Sequence, residues 1–197
     1  NFIPQAFTNA YVKAWNTDEN VYLIIEEINR GNCAQIFGDL FQLLDRKNGV
    51  SEYPVEADTD LQNYLCKALT DTKRTDIPDD VKSGKKLMLP TNLCIWATMN
   101  TSDQSLFPID SAFKRRWEWK YIPIDTKADN WSISAAGATY DWGDFLEKIN
   151  AKIEAATSSE DKMLGFYFCK AENGIISAER FVNKVVFYLW NDVFKDY

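Results

Sequence analysis

The chain has 197 residues, 46% apolar and 26% charged, and a net charge of −7. This is enough to bury a real core, in one domain or one domain with a small appendage, and the acidic balance argues against a general polyanion-binding surface. There is no histidine, and Cys33, Cys66, Cys94 and Cys169 lie far apart without C-x-x-C spacing, which excludes histidine-dependent chemistry within the chain and disfavours a zinc site. No apolar run approaches the ~20 residues of a membrane span and no signal-peptide pattern opens at Asn1, so a cytoplasmic protein is expected.

Phe7 to Trp15 spaces its apolar residues for a helix that ends near Asn16-Thr17-Asp18. Val21 to Ile25 is a continuous apolar run, β-branched and aromatic, and predicts a strand covered on both faces of a parallel sheet. Asn32 to Leu44 sets Ile36, Phe37, Leu40, Leu43 and Leu44 on one helical face, with Asn32 as N-cap. From Asp45 to Lys86 the pattern dissolves into polar and turn residues around one apolar patch, Leu61 to Leu69, predicting an insertion or extended connection over about residues 45–88. Leu93 to Met99 predicts a second buried strand, running into Asn100-Thr101-Ser102-Asp103. Asp110 to Lys114 predicts a helical turn or two, and Trp117 to Ile122 alternates large apolar residues with Glu118 and Lys120, as a third strand with one covered face would. After a linker over 125–138 the periodicity is helical: Phe145, Leu146, Ile149 and Ile153, then Phe181 to Val193 behind Ser177 as cap. The expectation is an α/β core over residues 1–125, with a parallel sheet flanked by helices, and a small helical subdomain over 126–197.

A charged pair directly after a buried strand calls for a reason. In open α/β sheets ligands sit outside the carboxyl ends of the strands, so Glu26, Glu27, Asn100, Thr101 and Asp103 would meet on one rim. There one carboxylate can hold a metal ion or its waters, the other can orient water for in-line attack on a phosphoryl group, and the Asn100 amide can hold that water from the other side. The plainer alternative is that Glu26-Glu27 begins a solvated loop. Lys114-Arg115-Arg116 likewise reads by itself as a solvated helix end. Trp117, Trp119 and Tyr121 could stack on bases, although their alternation fits core packing better.

The stretches "LIIEEINRGN" and "IWATMNTSDQSLFPIDSAFKRRWEW", in this order, resemble the AAA+ module of the McrB family, the nucleotide-hydrolysing motor of 5-methylcytosine-specific restriction systems, close to the dynein-related ATPases. Leu23 to Glu27 matches its Walker B motif, Met99 to Ser105 its M-N-T-A-D-R-S block, and Ala112 to Trp117 its A-L-R-R-R-F block. The resemblance implies that Glu26 supports Mg²⁺, directly or through water, that Glu27 is the catalytic glutamate and that Asn100 positions the attacking water. It likewise implies that Thr101 and Asp103 belong to the same nucleotide site. Arg115 and Arg116 would reach a neighbouring subunit's GTP or ATP, with Arg30 a weaker candidate across that interface. It further implies a homo-oligomeric ring, expected to be hexameric, a separate nuclease subunit, and DNA recognition through domains outside this chain.

Departures from the family pattern are informative. Glu26 stands where the family has aspartate, N-T-A-D is N-T-S-D, and Gly165-Phe166-Tyr167-Phe168 meets G-H-S-Y-F without its histidine. The N-T-S-D run also has a superficial likeness to the N-K-x-D guanine reader of GTPases. No G-x-x-x-x-G-K-[ST] phosphate loop occurs. The resemblance therefore implies the later part of an AAA+ P-loop-type module (Walker B, sensor, finger and helical lid) belonging to a longer protein, binding nucleotide poorly alone and leaving strand edges open. A second expectation is a degenerate AAA+ module that acts as an oligomerising scaffold or partner-binding domain without hydrolysis.

Overall fold

The computed structural model describes residues 2–99, 107 and 109–195. They form two compact units, the first ending at Glu118 and the second beginning at Trp119.

In the first unit α1 (Ala6–Asn16) buries Tyr11, Ala14 and Trp15 on one face, as its spacing predicts. Strand β1 (Val21–Ile25) follows, then a 3₁₀ turn (Ile28–Arg30) and α2 (Cys33–Phe37). Asn32 caps α2, its Oδ1 accepting the Gln35 N–H at 3.2 Å. The single helix expected over Asn32 to Leu44 is broken: Gly38 takes a left-handed φ of +48°, and the chain continues as a 3₁₀ stretch (Gly38–Leu44). Next come β2 (Arg46–Lys47) and β3 (Val50–Ser51), a hairpin closed by Asn48-Gly49, then β4 (Val55–Glu56), α3 (Thr59–Ala68), α4 (Asp79–Lys82) and β5 (Lys86–Leu87), which pairs antiparallel with β4. Leu65, Leu69, Val81 and Leu87 of this region are buried with Tyr11, Trp15, Leu43 and Leu93, so the residues read as an insertion supply part of the core. Each such side chain contributes about 1.5–3 kcal/mol on burial.

Strand β6 (Leu93–Ala97) lies parallel to β1, with Val21 opposite Leu93 and Ile25 opposite Ala97. Asn92, just before β6, ties the strand to the end of α1: its buried amide donates to the carbonyls of Ala14, Thr17 and Glu19 at 2.8–3.0 Å and accepts from Arg74. The two strands are not covered on both faces as their apolar runs predict. Ile24 and Trp96 are each 61% exposed, and the Tyr22 and Trp96 rings meet edge to face on the outer surface. The alternate residues Val21, Leu23 and Ile25 of β1, with Leu93 and Ile95 of β6, turn toward the core formed with α1 and the 3₁₀ stretch. Helix α5 (Ser111–Lys114) starts at Asp110, whose carboxylate caps the Phe113 N–H at 2.7 Å.

The third strand expected over Trp117 to Ile122 is not formed among the described residues, and Trp119, Tyr121 and Ile122 are exposed. The second unit is not purely helical either. Part of the expected linker is β7 (Ser132–Ala135), which pairs antiparallel with β8 (Ala138–Asp141) across the positive-φ pair Ala136-Gly137, and parallel with a later strand, β9 (Ile175–Ser177). Between them runs α6 (Trp142–Thr157), capped by Asp141. After β9 a helix starts as α7 (Ala178–Phe181), capped by Ser177, and continues in π-helical stretches Val182–Val186 and Leu189–Val193. Trp142, Leu146, Ile153, Leu164, Ile176 and Val185 form its core. The buried Asn150 amide pairs with both backbone groups of Leu164, at 2.8 and 2.9 Å. No helix among the described residues is long and apolar enough to cross a membrane.

Candidate functional site at the rim of the parallel strands

The parallel register sets the geometry. Because Ile25 and Ala97 are level, the residues that leave β1 and β6 emerge side by side at one rim: Glu26 and Glu27 from one strand, Thr98 and Met99 from the other. Both glutamates are exposed. Asn100, Thr101 and Asp103 lie outside the described residues.

Glu27 has left-handed backbone angles, φ 51° and ψ 53°. Its N–H donates to Thr98 Oγ1 at 3.0 Å, and its carboxylate is gripped by Arg30, which ion-pairs through Nε to Oε2 and donates from Nη2 to Oε1 at 3.3 Å. Arg30 can reach back because the 3₁₀ turn puts it three residues on, on the same side. Both side chains remain in water, so the pair orients the carboxylate more than it stabilises the fold.

The two arginines after α5 are in different environments. Arg115 is exposed. Arg116 is 9% exposed; its Nη2 meets Asp45 Oδ2 at 2.6 Å, its Nη1 donates to the Ala112 carbonyl at 2.7 Å, and its guanidinium carbon lies 4.0 Å from the Phe41 ring centroid. Both arginines, with Asp45, Arg46, Cys94 and Trp96, line an open cleft of about 490 Å³ beside β6. Arg46 donates to the carbonyls of Gly49, Pro90 and Leu93 at 2.7–3.2 Å.

Two participants escape a reading of the sequence. Thr98 is hidden inside a run that reads as strand; the signal available was a hydroxyl residue near the end of that run, one position short of the polar cluster. Asp45 carries no sequence signal as the partner of Arg116, since 71 residues separate them.

The chain matches no protein-family profile. It is 42% identical over 203 aligned positions to the type II restriction enzyme BsuMI component YdiS of Bacillus subtilis, covering 98% of this chain and 55% of that protein. It is 24% identical over 194 positions to the type IV methyl-directed restriction enzyme EcoKMcrB subunit of Escherichia coli, covering 91% of this chain and 37% of that protein. The chain thus spans about half or less of the length of these curated relatives. By sequence it is related to components of restriction systems, the McrB subunit among them.

Proposed function

We propose that the chain is the later part of a nucleoside-triphosphate-hydrolysing motor of AAA+ type that serves a modification-dependent restriction system. The observation that carries this reading is the parallel register of β1 and β6, with two exposed glutamates emerging where an α/β sheet binds ligands. Glu27 is the base that accepts a proton from the attacking water, and the Asn100 amide steadies that water. Glu26 would hold Mg²⁺, directly or through water. The exposed Glu26 carboxylate is the hard oxygen donor that Mg²⁺ prefers, and it would hold the ion together with water and phosphate oxygens. When bound, Mg²⁺ supplies charge neutralisation for the phosphates.

Arg115, exposed at the end of α5, is the better candidate for reaching a neighbouring subunit's nucleotide, because the Arg116 guanidinium is already engaged by Asp45, Ala112 and Phe41. Thr101 and Asp103 would complete the nucleotide site, and Arg30 would act at its edge. A homo-oligomeric ring, expected to be hexameric, a separate nuclease and DNA-reading domains elsewhere complete the proposal.

The test is phosphate release from GTP and from ATP by the full-length protein, with Glu27→Gln alongside. Turnover that falls by orders of magnitude in the variant while nucleotide binding persists supports the motor, and the faster nucleotide identifies the fuel. No turnover with either nucleotide, with DNA present and at high protein concentration, favours a non-hydrolysing scaffold.

A further inference from the structure

Among the described residues, five other than glycine have positive φ: Glu27, Asn48, Ala136, Ser158 and Asn173. Asn48, Ala136 and Asn173 each precede a glycine in a tight turn, and Ser158 caps the end of α6. Those four have ordinary explanations. Glu27 sits at the end of a strand with no glycine after it, in a region that L residues other than asparagine and aspartate adopt at a cost.

The ladder shows how this conformation is held. Val21 N–H donates to the Asn92 carbonyl at 2.8 Å and Thr98 N–H to the Ile25 carbonyl at 2.9 Å, as a parallel pair requires. The next step of that ladder would send the Glu27 N–H to the Thr98 carbonyl. Instead Ile28 N–H takes that carbonyl, at 2.9 Å, and the displaced Glu27 N–H is received by the Thr98 hydroxyl at 3.0 Å. One residue has been inserted, as in a β-bulge, and such bulges re-aim side chains. Without it, strand alternation would turn Glu27 to the side of Leu23 and Ile25, toward the core. With it, the carboxylate faces outward within reach of Arg30.

We infer that Thr98 is a positioning residue for Glu27: its hydroxyl stabilises the bulge that turns this carboxylate from the core side of the sheet to the reacting rim. The inference rests on the proposed hydrolytic role of Glu27. Backbone carbonyl and N–H groups of residue 98 are present whatever the side chain, so the hydroxyl is the one element of the device that a substitution can remove.

The experiment is steady-state hydrolysis of GTP and ATP by the full-length protein carrying Thr98→Val, Thr98→Ser, Glu27→Gln, or Thr98→Val with Glu27→Gln. Valine keeps the shape and loses the acceptor, so kcat should fall by about tenfold, with KM within about twofold. Serine should restore kcat to within about threefold. Because Thr98 acts through Glu27, Thr98→Val should cost nothing further once Glu27 is glutamine. Wild-type kcat in Thr98→Val would overturn the inference while leaving the motor intact, provided Glu27→Gln is inactive. A loss that serine does not restore, or that carries undiminished into the Glu27→Gln background, would make Thr98 merely structural. Full turnover in Glu27→Gln would overturn the hydrolytic reading and this inference with it.

Discussion

Replacing Arg116 by alanine, with Arg115→Ala as control, separates two residues that look equivalent in "KRRW". Arg116→Ala removes a 2.6 Å ion pair to Asp45, a 2.7 Å bond to the Ala112 carbonyl and a cation held 4.0 Å from the Phe41 ring centroid, and leaves Asp45, 28% exposed, without this counter-charge. A hydrogen bond to a charged partner contributes about 1.5–3 kcal/mol and the cation–π contact about 0.5–1 kcal/mol, so a loss of about 3 kcal/mol is expected. Arg115→Ala, at an exposed site, should stay within about 0.5 kcal/mol of the parent. Urea titrations followed by tryptophan fluorescence should therefore show a lower midpoint for Arg116→Ala at an unchanged slope, and Arg115→Ala overlying the parent curve. In the double-mutant cycle, Arg116→Ala should cost less once Asp45 is alanine, by the share that the Asp45 ion pair carries, while the losses at Ala112 and Phe41 remain. If Arg116→Ala also overlies the parent curve, Arg116 is not spent on the fold, and its contacts with Asp45, Ala112 and Phe41 add no net stability. Turnover should divide the pair differently: Arg115→Ala should lose activity without losing stability.

Two further outcomes follow from the first unit's core. Burial pushes the Tyr11 hydroxyl up to about 12 from its ordinary 10, only partly offset by the Met88 N–H that it accepts. Its contribution is fully present below pH 10 and is lost as pH rises through about 12, an alkaline loss of about 3 kcal/mol; Tyr11→Phe should flatten that limb of a stability-against-pH curve, and an unchanged limb would count against it. Asn92→Ala removes donors from three backbone carbonyls and an acceptor from Arg74, all in the seam between α1 and β6, so about 2–4 kcal/mol of destabilisation is expected by urea unfolding. A loss below about 0.5 kcal/mol would mean that water replaces these bonds without cost.

Local chemistry was legible in the amino-acid order. The helix over Phe7 to Trp15, the strands at Val21 and Leu93, and the caps Asn32 and Ser177 depend on neighbours a few residues away, and each formed. Where the expectation failed, the deciding partner was distant or a backbone choice intervened. Trp117 to Ile122 has strand-like alternation, but a strand needs a ladder that alternation does not specify, and the segment forms no strand among the described residues. β7 was lost in a stretch read as linker because its partners include β9, more than 40 residues away. Gly38 ended a helix whose apolar spacing ran on past it. The same division runs through the candidate site. That Glu26 and Glu27 end a strand is written in the chain; that Thr98 receives the Glu27 N–H from 71 residues away, and that Asp45 and Phe41 take Arg116 while Arg115 stays in water, was decided by tertiary structure. Periodicity reports the face a side chain prefers, whereas a long-range hydrogen bond or ion pair depends on which backbones the fold brings together.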